Sequence, residues 1–279
     1  MRFDTVVMVD WSGGNDRGPT PKKDAIWVAV IREGKALPSQ YLRNRQCAET
    51  WLTALFAAER AAGRRVLAGV DFPFGYPAGF AKVLVGQVAP LAVWDGFADH
   101  LYDTPGANNR FELAAFINGM FAGVGPFWFN AGYQDFRALP RRGTDRRGHG
   151  MVEKRHCERL AKGAFSSWQL GGAGAVGSQA MTGIAVLSRL RAVFAGQISV
   201  WPFEQPSAPI VLAEVWPSLF AGEVRAGLRP GSIKDEVQVR LLAQRILAAQ
   251  EAGALAPQLA AAPAQARAEE GWILGVQNE

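Results

Sequence analysis

Val66–Pro77 reads VLAGVDFPFGYP: an apolar run that stops on a carboxylate, with Phe-Pro directly behind it. Five small and branched apolar residues bounded by a proline read as a buried strand over 66–71. Pro73 has no backbone donor, so the chain must leave the sheet there. The start of the chain repeats the arrangement, with TVVMVD at 5–10 running into the turn WSGG. Two core strands that each carry an acid at the C-terminal end, Asp10 and Asp71, read as two halves of one site.

Outward from these strands the chain alternates between periods. AIWVAVI (25–31) is a second strand beyond the turn-rich SGGNDRGPTPKK, and a short third lies near 38–43. Helical spacing of Trp51, Leu52, Leu55 and Phe56 predicts a helix over 48–63, ended by Gly63. ISVWP (198–202) and IVLAEVWP (210–217) read as strands, whereas 178–195 and 232–253 read as helices, and 254–268 as a loose helix or linker. Between them, 76–177 is rich in Gly, Pro, aromatic residues and Arg, with short helical stretches only at 91–102 and 111–121. A regular α/β unit returns to its sheet within about 15 residues, so 76–177 is an insertion within one α/β domain spanning 1–279.

The totals exclude several classes. Of 279 residues 49% are hydrophobic and 20% charged, the balance of a globular chain. No apolar run approaches the ~18 residues of a membrane span, Met1–Asp4 leads into a strand rather than a signal sequence, and two cysteines are too few for a disulfide framework. The expectation is a cytoplasmic protein without a membrane partner. The net charge of +5 is concentrated: Arg137–Lys162 holds nine Lys or Arg against three acids. Such a segment either faces water or guides a polyanion, and Arg141, Arg142, Arg146 and Arg147 are its candidate phosphate contacts. Phe127, Trp128 and Phe129 beside them read as a satellite core.

Two more acids stand at informative places, Glu214 within VLAEVWP and Asp235 at the start of the long helix. Ser232-Ile-Lys-Asp235 fits a capping box, and Asp235, Val239, Leu242 and Ile246 also share one helical stripe, which turns the acid toward the sheet. Burying one carboxylate costs several kcal/mol, and a second within ~4 Å adds repulsion. A divalent cation relieves both, and oxygen ligands on rigid strands suit Mg²⁺ or Mn²⁺.

The order of elements and acids resembles the ribonuclease H-like superfamily. More closely, VDWSGG (9–14), GVDFPFGYP (69–77), LAEVWPSL (212–219) and IKDEVQVRLLA (233–243) are similar to the motifs of an uncharacterised, mostly bacterial family of predicted ribonuclease H-like nucleases. The likeness covers 1–75 and 178–250. It implies a mixed sheet flanked by helices and a Mg²⁺- or Mn²⁺-dependent phosphodiester hydrolase. Its metal ligands and catalytic residues would be Asp10, Asp71, Glu214 and Asp235, with Glu236 the neighbouring alternative to the last. The partner would be nucleic acid or a nucleotide-like anion, and a homodimer is compatible with it.

Other signals lead elsewhere. Gly172-x-Gly174-x-x-Gly177 precedes a helix but follows no convincing strand; it reads as an approach to that helix, where Ser178 and Gln179 could help hold a phosphate. DWSGG resembles the first phosphate loop of the sugar kinase and actin superfamily, making an ATP-dependent phosphotransferase a competing enzyme. A non-catalytic nucleotide-binding or accessory protein in cofactor synthesis is the competing non-enzyme, and it expects the acids to pair with arginines. His100, His149 and His156 are scattered, and no Gly-x-Ser-x-Gly elbow occurs.

Overall fold

A computed structural model describes residues 1–278. Seven strands form one mixed sheet: β1 (Thr5–Asp10), β2 (Ile26–Arg32), β3 (Lys35–Ala36), β4 (Gln40–Leu42), β5 (Val66–Val70), β6 (Ile198–Val200) and β7 (Ile210–Glu214). The spatial order is β3-β2-β1-β5-β7-β6, and β4 continues the β3 edge along β2. β1 and β2 are antiparallel, whereas β1, β5, β7 and β6 run parallel. The strand expected near 38–43 is β4, and the two-residue β3 before it was not expected. The helices are α1 (Arg45–Ala61), α2 (Phe80–Val85), α3 (Pro90–His100), α4 (Arg110–Asn118), α5 (His156–Leu160), α6 (Gly177–Val193), α7 (Ala221–Gly227), α8 (Lys234–Glu251) and α9 (Leu255–Ala260).

Strand alternation divides the core between the two faces of the sheet. Val7, Val9, Ala68, Val70 and Leu212 join Leu52 and Phe56 of α1, Trp94 and Phe97 of α3, and Ile184 and Leu187 of α6. Val6, Met8, Leu67, Val211 and Ala213 join Val239, Leu242 and Ile246 of α8 with the C-terminal Trp272 and Ile273. The stripe read along 235–246 is therefore the buried face of α8. Asn44 starts α1 by accepting the Cys47 amide at 2.8 Å, and Gly63, at φ +68°, follows its end.

The aromatic residues of the 76–177 insertion join the first of these cores, while its Cys157, Ala161 and Ala164 join the second. Tyr76 stacks on Trp168 at 5.0 Å, Phe80 meets Trp168 edge-on at 5.1 Å, and Phe127 does so at 5.2 Å. Phe127 is buried here and is continuous with the sheet core, not in a satellite, whereas Trp128 and Phe129 are half-buried. Among the described residues no helix is long and apolar enough to cross a membrane.

Candidate functional site

The parallel register of β1 and β5 pairs Val9 with Val70, so Asp10 and Asp71 follow side by side at the ends of the two strands. They continue the alternation of Met8 and Gly69, toward the α8 face. Gly69 permits this crossing because a Cβ there would lie 2.6 Å from the Met8 sulfur and 2.8 Å from Val215. Asp71 fixes the turn after β1: its Oδ1 accepts the Trp11 amide at 2.6 Å, and its own amide donates to Val9 O at 3.2 Å. Asp235 arrives on the first turn of α8. The capping box does not form, because Ile233 occupies the cap position and Asp235 Oδ2 instead accepts the Asp24 amide at 2.7 Å. α8 is thereby tied to the loop between β1 and β2.

Asp10, Asp71 and Asp235 are half-buried, and among the described residues none forms an ion pair. Asp10 has no hydrogen-bond partner for its carboxylate there either. Burial first, then the Asp71 and Asp235 charges, push the Asp10 pKa well above the usual carboxylate range. Asp71 is likewise raised by burial and by Asp235, against the Trp11 hydrogen bond that lowers it. Burial raises Asp235, against the Asp24 amide hydrogen bond that lowers it; the Asp24 charge adds to the rise, and Lys234 and Lys23 partly offset it. Three elements thus hold three acids in mutual repulsion.

Glu214 does not join them. It stands in register with Val70, one residue before Asp71, so strand parity turns it away from the Asp10–Asp71 side. Its two oxygens accept Arg155 Nη1 and Nη2 at 2.8 and 2.6 Å, and Oε2 also takes the Phe74 amide at 2.9 Å. Arg155 is fully buried; its Nε bonds Glu158 at 2.9 Å and its Nη1 bonds Glu270 O at 3.1 Å. Burial opposes the Arg155 charge, but Cys157, Glu158 and Glu214 together hold its pKa well above the ordinary value. Glu214, read from the sequence as a metal ligand with the other three acids, is placed apart from them as one half of a buried bidentate pair. A cleft of about 30 Å³ is bordered by Asp71 and by this pair, so the two arrangements are neighbours.

The expected anion contacts are also mostly spent. Ser178 donates to Leu170 O at 2.6 Å and accepts from Arg110, and Gln179 donates to Trp11 O at 3.0 Å. Both side chains hold the β1 turn against α6 and do not present a phosphate cradle. Gly13 makes room for that contact, since a Cβ would meet the Ser178 side chain at 3.1 Å. Arg146 pairs with Glu153 at 2.9 Å and lies over Trp128, and Arg147 pairs with Asp145 at 3.3 Å. Arg141 gives its Nε to Gly132 O at 2.9 Å, and Arg142 is exposed with φ +53°.

Sequence reasoning missed three arginines. Arg155 lay inside the basic segment read as facing either water or a polyanion, and it is buried instead. Arg45, the first residue of α1, is buried; it bonds Ser12 O and Gly14 O and pairs with Asp103 at 2.6 Å, clamping the turn after Asp10. Arg110 opens α4 and reaches Ser178 at 2.9 Å. No local pattern distinguishes these from surface arginines.

Oxygen donors alone suit Mg²⁺ or Mn²⁺ in kind. In position they are less complete: among the described residues no three His, Cys, Asp or Glu side chains form a group that could hold a metal ion. Comparison of the chain with protein-family models, curated proteins and solved structures finds no match.

Proposed function

We propose that the protein is a divalent-metal-dependent phosphodiester hydrolase of the ribonuclease H-like kind, acting on nucleic acid or a nucleotide-like substrate. The observation that carries this reading is the convergence of Asp10, Asp71 and Asp235 from three separate elements without a cation among them. Uncompensated carboxylates cost stability, and such strain concentrates at functional sites. Mg²⁺ is commonly held by one or two carboxylates, with waters and substrate phosphates completing its shell. That habit accommodates Asp10 and Asp71 as the ligands, with Asp235 closing the third side. A bound ion would activate water and stabilise the leaving oxygen of a phosphodiester.

The chain's own contributions follow from its contacts. The Trp11 amide fixes the orientation of Asp71. The Asp10 carboxylate, with no hydrogen-bond partner among the described residues, is left open to a ligand. The strand-end order of Asp10 and Asp71 and the acid on α8 supports the likeness drawn from the motifs. The accessory reading draws support from one acid, since Glu214 is paired with an arginine, but the other three are not.

Hydrolysis of end-labelled DNA and RNA oligonucleotides and of a dinucleotide, with Mn²⁺ or EDTA, tests the proposal. Expected is cleavage of at least one substrate that EDTA stops and Asp71→Asn abolishes. Absence of cleavage across the set, or equal cleavage by the variant, would overturn it. Loss of binding between 50 and 200 mM salt separates a long polyanion from a small nucleotide.

A further inference from the structure

Beyond the acids, the turn after β1 borders a cavity of about 490 Å³, lined by Asn15 of that turn, by residues 106–112 leading into α4, and by 130–134 and Phe136 of the insertion. Arg110 stands in its wall and is a cation in excess. Its neighbour Asp103 is committed to Arg45, at 2.6 Å from both Nε and Nη2. Arg110 makes no ion pair among the described residues; Nε goes to Ser178, Nη1 to Asn108 Oδ1 at 2.5 Å, and Nη2 to nothing. Burial, then the Arg45 charge, lower its pKa to about 10, with Asp103 opposing. A guanidinium so placed is costly unless an anion completes it.

The polar groups left over around Arg110 are donors. Asn108 Nδ2 is buried with no partner, and its orientation is fixed because Oδ1 accepts from Arg110. Asn109, the residue before α4, spends its side chain on the Tyr102 amide and His100 O; the Arg110 amide reaches Asn108 Oδ1 at 3.4 Å, and the Phe111 and Glu112 amides of the first turn have no side-chain partner among the described residues. Arg141 lies outside the lining but gives its Nε to the O of Gly132 in the cavity wall, and its own amide to Asp135. Glu112 also lines the cavity, but it is exposed and is not among the charges that act on Arg110. The aromatic surface is equally specific in placement: Arg110 lies 4.4 Å from the Phe111 ring centroid, and Tyr133 stands 98% exposed.

We propose that this cavity is a binding site for a nucleoside monophosphate unit, its phosphate held by Arg110, Asn108 and the first turn of α4 and its base by Tyr133 and the amide side chains of Asn15 and Gln134. Donors without acceptors call for an anion rich in acceptor oxygens. The volume falls within the usual range for small-ligand sites, and an exposed tyrosine offers a stacking face of the kind bases use. The buried Asn130 supports the site from behind, since its side chain bonds Gln134 O, Leu139 O and the Gly132 amide and so sets the loop that carries Tyr133. The unit could be a free nucleotide or the 5′-phosphorylated end of a strand; both present the same chemistry. The site stands independently of the hydrolase reading.

Titration calorimetry in EDTA tests it with inorganic phosphate, adenosine, adenosine 5′-monophosphate, and pentathymidylate with and without a 5′-phosphate. The monophosphate should bind saturably, and more tightly than phosphate or adenosine. Arg110→Gln and Asn108→Asp should each weaken it by about tenfold or more, and Tyr133→Ala should weaken the nucleotide but not phosphate. Asn108→Asp and Tyr133→Ala decide the matter if Arg110→Gln fails to fold. Asp71→Asn should bind as the wild type does, which keeps failure here distinct from failure at the acids. Tighter binding of the 5′-phosphorylated strand than of the mononucleotide assigns a strand end; equal or weaker binding assigns a free nucleotide. No saturable binding of the monophosphate at millimolar concentration, or undiminished binding by Asn108→Asp, overturns the proposal.

Discussion

At the ends of β1 and β5, Asp10 and Asp71 face Asp235 with no cation of the described residues in ion-pair range, whereas on the adjacent β7 Glu214 lies against a fully buried arginine. Both places put acids at the C-terminal ends of parallel strands, and the sequence alone makes them look alike. The difference is one residue of register. Asp71 follows Val70, while Glu214 stands opposite it. The aligned pair acquires repulsion, and the offset acid acquires Arg155, Glu158 and the 270–274 segment. A paired acid holds the fold together; an unpaired set is suited to a ligand that brings its own positive charge.

Breaking the paired side should have the larger effect. Arg155→Met leaves Glu158 and Glu214 buried without their cation, which should cost about 3–5 kcal/mol, read from urea unfolding. An unchanged midpoint would mean the two arrangements do not differ as described. On the unpaired side the sign reverses. Asp71→Asn keeps an oxygen for the Trp11 amide and removes repulsion, so in EDTA at pH 8 it should stabilise the protein by on the order of 1 kcal/mol.

The same contrast sets a pH dependence. Folding raises the pKa values of Asp10, Asp71 and Asp235, so in the folded state these groups keep protons that the unfolded chain has released. Their contribution to stability therefore falls as pH rises from about 4, the ordinary aspartate value, up through the raised values. The wild type in EDTA should lose stability from pH 5 to 8 relative to Asp71→Asn, as thermal melts across that range will show. The smallest effect belongs to Ser232. Since Asp235 is tied to Asp24, no capping box forms and the Ser232 hydroxyl accepts only the exposed Arg229 amide, Ser232→Ala should change stability by less than about 0.5 kcal/mol.

Much of the sheet was legible because β-branched runs bounded by turn residues are strong local signals: β1, β2, β5, β6 and β7 match the expected segments to within about three residues at either end, as do α1, α6 and α8. Asp10 and Asp71 were legible because Pro73 and the WSGG turn mark where each strand stops. Glu214 could not be set apart from the other acids because facing direction depends on how β7 aligns with β5, which no local pattern states. Ser178 and Gln179 were placed correctly at the start of α6, but their partners, Leu170, Arg110 and Trp11, are distant in sequence. The insertion hid most. Its aromatics follow neither a two- nor a 3.6-residue period, because they meet through loops around Trp168.

The central claim is that the three unpaired acids await a divalent cation, and calorimetric titration of Mn²⁺ into the wild type and Asp71→Asn, with and without a non-hydrolysable phosphodiester, tests it most directly. The account predicts saturable binding by the wild type, strengthened by the phosphodiester and lost in the variant. No binding to the wild type even with the phosphodiester present, or equal binding by both proteins, would contradict it.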